Sequence, residues 1–236
     1  MTTSRKSALV STFVALLSLA VLARPCAAQS NNAEGDFSTG SNPNGAWSYG
    51  WTTTLGSAFN LDSVSTNTYA GTGLGGWLTT LAPDGSPLVL HNGTGSEITL
   101  GNSTFEPGQL ALGPGQNLQY SVLRWTAPSS GAFNIFASFS GLSALGDTSD
   151  VYILHDGVSI FDANVTGTHL PKAYSGSQTI TAGDTIDFVV GVGSDGNYDE
   201  DLTSLTASIA VPEPGTLGLV GISLIGLLSF RFLKRK

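Results

Sequence analysis

The chain has 236 residues, with 17 Asp and Glu against nine Lys and Arg and a formal net charge of −8. Seven of the basic residues lie near the ends (Arg5, Lys6, Arg24, Arg231, Lys234, Arg235 and Lys236). Between Gln29 and Ala210 only Arg124 and Lys172 face sixteen carboxylates, a formal −14. Such a surface repels phosphate backbones and excludes nucleic acid, while divalent cations and neutral polymers stay open as partners.

At the front, Arg5-Lys6 precede the apolar stretch Ala8–Ala23, and Cys26-Ala27-Ala28 offers small side chains ahead of Gln29. This is the pattern of a secretory signal peptide over residues 1–28, cut after Ala28. Cys26 is the only cysteine, so the exported part has neither disulfide nor thiol chemistry. Arg24-Pro25 stand where a lipidation signal wants small residues. The domain must therefore be held by its core or by bound ions, and about 180 residues suffice for one sizeable core.

Residues 29–36 read as a polar linker, and the domain is expected over 37–210. Asn42-Pro-Asn-Gly45 is a turn, and from it runs Ala46–Thr54, in which Trp47, Tyr49 and Trp51 alternate with Ser48, Gly50 and Thr52. A strand there puts three aromatics on one face. Ala58–Asp62, Gly75–Thr80 and Pro87–His91 are further short strands, and Asn92–Pro114 alternates turns with brief apolar pieces. Leu118–Thr126 and Ala132–Gly141 are strands, and Phe133, Ile135, Ala137 and Phe139 line one face of the second. Asp156-Gly157 links Asp150–His155 to Val158–Asp162 with the residue pair that a type I′ hairpin turn demands. Thr185–Val192 is apolar on both faces and hence central, and Leu202–Val211 is the last strand.

About ten short strands with Gly, Pro, Asn and Asp punctuation mean an all-β fold. The expectation is an antiparallel β-sandwich, jelly-roll-like, flanked by the signal peptide and a C-terminal transmembrane helix.

Catalytic signatures are missing. His91, His155 and His169 show no metal-ligand spacing, and neither a Gly-x-Ser-x-Gly elbow nor a phosphate loop occurs. The expectation is a protein that is not an enzyme and requires no cofactor. Asp195, Asn197, Asp199 and Asp201 present oxygens at every second position, so the loop is either a solvated acidic turn or a calcium site. It departs from the EF-hand pattern, with Glu200 at the sharp-turn glycine and Thr206 at the bidentate glutamate. Arg124, mid-strand, calls for an ion pair with an Asp such as Asp150 or Asp187. Trp47, Tyr49, Trp51 and Trp77 are either core or a carbohydrate-binding platform, because alternation alone leaves both open.

The end is tripartite: Val211-Pro212-Glu213-Pro214, an apolar run Leu217–Phe230, and the cationic Arg231–Lys236. The run reaches roughly 21 Å at 1.5 Å per residue, short for a 30 Å hydrocarbon core. Pro212 and Pro214 keep Glu213 extended. Residues 211–236 resemble the PEP-CTERM sorting signal of bacterial envelope and biofilm proteins. The resemblance implies an exosortase-type membrane enzyme as partner, with Val211, Pro212, Glu213 and Pro214 as the processing motif. It also implies transient anchoring in the inner membrane, then release to the cell surface or matrix. A plain single-span anchor is the alternative. Asn42–Trp51, Leu123–Pro128, Asp150–Phe161 and Gly183–Asn197 loosely resemble secreted bacterial carbohydrate-binding-like β-sandwich modules, which implies a polysaccharide ligand. The rival reading is a structural biofilm-matrix protein with no small ligand.

Overall fold

The computed structural model describes residues 30–146 and 148–212. The expected signal peptide, the transmembrane helix and the sorting tail beyond Pro212 lie outside the described residues. Among the described residues, no helix is long and apolar enough to cross a membrane.

Among the described residues, sixteen strands follow in chain order. The first eight are β1 (Ser30–Asn32), β2 (Trp47–Thr52), β3 (Asn60–Leu61), β4 (Val64–Thr66), β5 (Gly75–Leu78), β6 (Leu88–His91), β7 (Ile98–Leu100) and β8 (Ser103–Phe105). The second eight are β9 (Leu110–Gly113), β10 (Tyr120–Thr126), β11 (Gly131–Gly141), β12 (Asp150–His155), β13 (Val158–Asn164), β14 (Lys172–Ile180), β15 (Thr185–Gly191) and β16 (Thr203–Ala210). A 3-10 turn, Tyr69–Gly71, sits between β4 and β5.

All ladders are antiparallel. One sheet runs β14-β11-β16-β9-β6-β5-β4, with β1 also on β16; the other runs β13-β12-β15-β10-β2-β3; β7 and β8 form a separate hairpin. The strand expected to be central, β15, lies inside its sheet and is buried along nearly its whole length. The Asp156-Gly157 turn has both residues at positive φ, 49° and 78°, as a type I′ geometry requires.

The two sheets pack face to face through alternate residues. Trp47, Tyr49, Leu123, Trp125, Ile186 and Phe188 from one sheet share a cluster with Leu110, Phe133, Ile135, Phe139, Leu205 and Ile209 from the other. Trp125 meets Phe133 edge-on at 5.2 Å, and Trp47 lies 6.2 Å from Phe188. A second cluster forms on the opposite face of β6, where Leu88 and Leu90 pack with Leu74, Phe105, Ala111 and Leu142 under the β7–β8 hairpin. On the outer face of the six-stranded sheet, Phe59, Tyr120 and Tyr152 cover Val122, Leu154 and Val189.

Arg124 pairs with Asp187, directly opposite it across β10 and β15. Its Nε and one terminal nitrogen donate to the two carboxylate oxygens, each at 2.7 Å. Phe59 lies 4.3 Å from the guanidinium carbon. The buried carboxylate thus receives a fork of two charge-assisted bonds, which offsets the cost of taking it out of water.

Two expectations are corrected, and one strand had no expectation set on it. Residues 29–36 are not simply a linker: Ser30–Asn32 pairs with Ala210–Ser208 of β16, because the last strand runs past β9 and leaves an edge to be filled. Lys172–Ile180, whose Ser, Gly and Gln content hides its alternation, is a nine-residue strand. Leu110–Gly113, read as one piece of a turn-rich segment, is a wholly buried strand.

Asp62 lies where the chain passes from β3 in one sheet to β4 in the other. It is 3% exposed, and neither carboxylate oxygen has a hydrogen-bond partner. Burial pushes its pKa up to about 8. The sign follows: below the unfolded value of about 3.9 the group is protonated in both states and costs nothing. As pH rises towards 8 the unfolded chain releases the proton first, so stability falls across that window.

Two tests follow from the packing. Trp47→Ala empties a fully buried aromatic site and should lower the unfolding free energy by roughly 3–5 kcal/mol in a denaturant titration. Asp62→Asn removes the titrating group, so its stability relative to wild type should climb between pH 4 and 8, by up to about 4 kcal/mol. A pH-independent difference between the two proteins would place Asp62 in contact with solvent or a cation.

Candidate functional site

Of the two readings left open for the aromatic row, the core holds three of its four members. Trp47 is 1% exposed, Tyr49 0% and Trp77 7%. Tyr49 and Trp77 stack against each other across the two sheets with ring centroids 6.1 Å apart. Their polar handles turn to the protein: the Trp47 indole donates to Asp36 at 3.1 Å, and that of Trp77 to the Ser38 carbonyl at 2.7 Å. Trp51, at the end of the strand, is the one member of the row left half-buried. The physical reason is the placement of β2 beside β10, which turns the aromatic face inward onto the other sheet. Trp47, Tyr49 and Trp77 thus give their rings to the core, and only Trp51 keeps part of its surface open.

The acidic loop also spends its oxygens locally. Asp195 accepts the backbone N–H of Asn197 at 3.1 Å, and Asn197 accepts that of Asp199 at 3.2 Å. Asp201 is buried and accepts the Thr148 N–H at 3.3 Å. Among the described residues, Asp195, Asp199 and Asp201 do not converge as a ligand set. The first two of these bonds are the side-chain caps of local turns.

The carboxylates that do converge, among the described residues, are at the β12–β13 turn. His155, Asp156 and Asp184 bring one ligand atom each within 4.8 Å of the others. His155 Nε2 lies 3.5 Å from Asp184 and 4.0 Å from Asp156. Both carboxylates already serve the backbone, Asp184 accepting the Thr181 N–H and Asp156 that of Thr185, each at 2.7 Å. The Thr181 bond is the main reason the Asp184 pKa is lowered. This cluster ties the hairpin end to the Ala182–Asp184 turn.

A cleft of about 670 Å³ opens elsewhere, at a discontinuity in the larger sheet. Along one edge of β16, Thr203–Leu205 pairs with β9 and Ser208–Ala210 with β1. Thr206 falls in the gap between the two partners and stays exposed. Glu34, just beyond β1, enters from one side and accepts the Thr206 hydroxyl at 2.9 Å. Glu106 to Gln109, leading into β9, and His91 to Thr94, leaving β6, complete the walls.

The geometry of these walls is well supported. Asn92 is fully buried, its amide donating to the carbonyls of Ser96, Phe105 and Glu106 while its oxygen accepts from Thr94. Gln109 accepts the Glu106 N–H at 2.9 Å, which holds the turn that faces Glu34. His91 stacks on Phe37 at 4.8 Å.

Electrostatically, the cleft is acidic and lacks any Lys or Arg. Burial raises the Glu34 carboxyl above its ordinary range, opposed by the Thr206 hydrogen bond. Burial lowers the His91 imidazole, opposed by a bond to the Gly108 backbone. The cleft therefore offers carboxylates, a neutral imidazole, an amide and hydroxyls, a set that both donates and accepts hydrogen bonds. Sequence reasoning missed it. Its residues come from four separate segments, and only the partner switch on β16 assembles them.

Comparison with curated proteins finds no match. Among solved structures, the chain is similar in part to CBM51 from Clostridium perfringens GH95 in complex with methyl-galactose. Identity is 14% and TM-score 0.32, over 49% of this chain and 79% of that one. It is also similar to a family 35 carbohydrate binding module from Clostridium thermocellum, at 14% identity and TM-score 0.31, over 48% and 85%. Rabbit GITRL overlaps at 16% identity and TM-score 0.27, over 40% and 74%. Overlap at this level carries no argument about what this chain binds. Residues 210–236 match the PEP-CTERM protein-sorting motif, which implies export to the cell surface.

Proposed function

We propose that this chain is an exported, non-catalytic surface protein whose β domain holds neutral polysaccharide in the cleft between β1 and β9. The observation that carries the reading is the cleft itself. It is large enough for a saccharide unit or two, is lined by donors and acceptors, and sits in a domain whose −14 charge turns away anionic polymers. Hydroxyl groups of a neutral glycan pair with carboxylate, amide and imidazole alike, and hydrogen bonds to charged groups are the stronger ones.

The second reading is a structural matrix protein that binds nothing small. The burial of Trp47, Tyr49 and Trp77 favours it, since these rings supply no stacking platform.

Retention on a panel of immobilised polysaccharides separates the two. Glu106, exposed on the cleft wall, makes no side-chain hydrogen bond or ion pair among the described residues. Glu106→Ala should therefore weaken retention about tenfold, the worth of one charged hydrogen bond, with an unchanged melting temperature. Uniform lack of retention by the wild-type protein across the panel would leave the matrix reading.

We further propose that an exosortase-type membrane enzyme processes the chain at Val211-Pro212-Glu213-Pro214 after transient anchoring in the inner membrane. Mass spectrometry of the exported protein should find a form ending near this motif. A surface form still ending at Lys236 would indicate a plain membrane anchor.

A further inference from the structure

The two sides of the sandwich are finished differently. On one side the terminal strands are β3 and β4, only two and three residues long. Edges that short offer little for another strand to pair with. On the other side the terminal strands are β13 and β14, seven and nine residues long. Phe161 of β13 lies 5.7 Å from Tyr174 of β14 and 6.4 Å from Phe139 of β11, which holds the two edges beside one another. Among the described residues, neither edge has a further strand on it.

Nothing in their composition guards these edges. β14 reads Lys-Ala-Tyr-Ser-Gly-Ser-Gln-Thr-Ile and β13 Val-Ser-Ile-Phe-Asp-Ala-Asn, without proline and with one charge each. The usual protections are proline, clustered charge, shortness or a covering loop. Exposed aliphatic and aromatic side chains gather around this side instead. Val158 is 69% exposed, Leu170, two residues ahead of β14, is 59% exposed, and Phe136, opposite Ser175 on β11, is 41% exposed.

Charge selects the occupant. A domain at −14 repels its own copy over most of its surface, yet Asp162 and Lys172 cancel on these two strands. This is the side on which two copies can approach without stacking carboxylate on carboxylate.

We propose that β14 pairs with β14 of a second copy, antiparallel about a two-fold axis at Gly176, so that the eight-stranded sheet continues through both protomers. The contact is isologous and self-complementary, as a closed dimer requires. Ser175 of one copy then stands opposite Ser177 of the partner subunit, both side chains exposed on the outer face of the sheet. The β13 edges, carried alongside by Phe161, close the second layer. The inference is independent of the polysaccharide reading, since the cleft lies at β1 and β9 and not at this edge.

The test uses the exported protein recovered from producing cells, with sedimentation velocity from micromolar to near-millimolar concentration. Wild type should sediment as a dimer. Ser175→Lys with Ser177→Lys places like charges opposite each other twice across the axis and should weaken the dimer about tenfold. This happens even though the added lysines reduce the overall repulsion between acidic domains, so a merely global charge effect predicts the reverse. Ser175→Lys with Ser177→Glu places opposite charges across the same axis and should restore dimerisation, which also shows that substitution here does not unfold the strand. A wild type that stays monomeric throughout overturns the proposal. So does a dimer indifferent to the double lysine, or one that the charge-paired variant fails to restore.

Discussion

The contact on which the structure depends is the meeting of two aromatic-rich inner faces. Trp47, Trp125 and Phe188 from the six-stranded sheet press against Phe133, Phe139 and Leu205 from the other, all essentially removed from water. With a single cysteine and so no internal disulfide, this burial is the main force opposing chain entropy, at about 25 cal/mol per Å² of apolar surface. Side chains alternate along a strand, so committing one face to the core commits the other outward. The positions of Arg124, Thr206 and Ser175 are consequences of that commitment.

Polar groups are placed by the same packing. Arg124 and Asp187 face away from the core as cross-strand partners, and the ring of Phe59 shelters their pair. Thr206 alternates with the core residues Leu205 and Ala207 and so faces outward, where β16 has lost β9 and not yet met β1. A sheet that changes partners part-way along a strand leaves a cleft without needing a long loop. Glu34, His91, Glu106 and Gln109 are brought to its walls by strand ends. Function, on this reading, sits where the regular ladder is interrupted. Regularity elsewhere supplies the rigidity that holds it.

The edges show the same economy. A surface protein with a strong single-sign charge stays apart from its neighbours unless one side is neutral, and here that side also carries the two long open strands. The faces keep the domain soluble by like-charge repulsion, and the proposed association is confined to the rim.

Much of this was legible in the residues. Alternation located β2 and β11, a run apolar on both faces located β15, the Asp156-Gly157 pair identified its own turn, and the scarcity of cations made Asp187 one of two partners proposed for Arg124. Residues 210–236 announced sorting, because a proline-bracketed glutamate, a short apolar run and a basic end are local features that need no fold to be read. Local chemistry and strand periodicity are the kinds of information a sequence states directly. Which face of β2 turns inward is not, since Trp47, Tyr49 and Trp51 alternate identically on a platform and in a core. Only the seating of β2 against β10, under a second sheet, decided it. The acidic loop likewise could fold around an ion or cap its own turns, and alternation alone does not separate the two, although Asp195 and Asn197 each accept a backbone N–H two residues on. The cleft had no sequence signal, because its residues lie far apart in the chain and become neighbours only when β16 exchanges one partner strand for another.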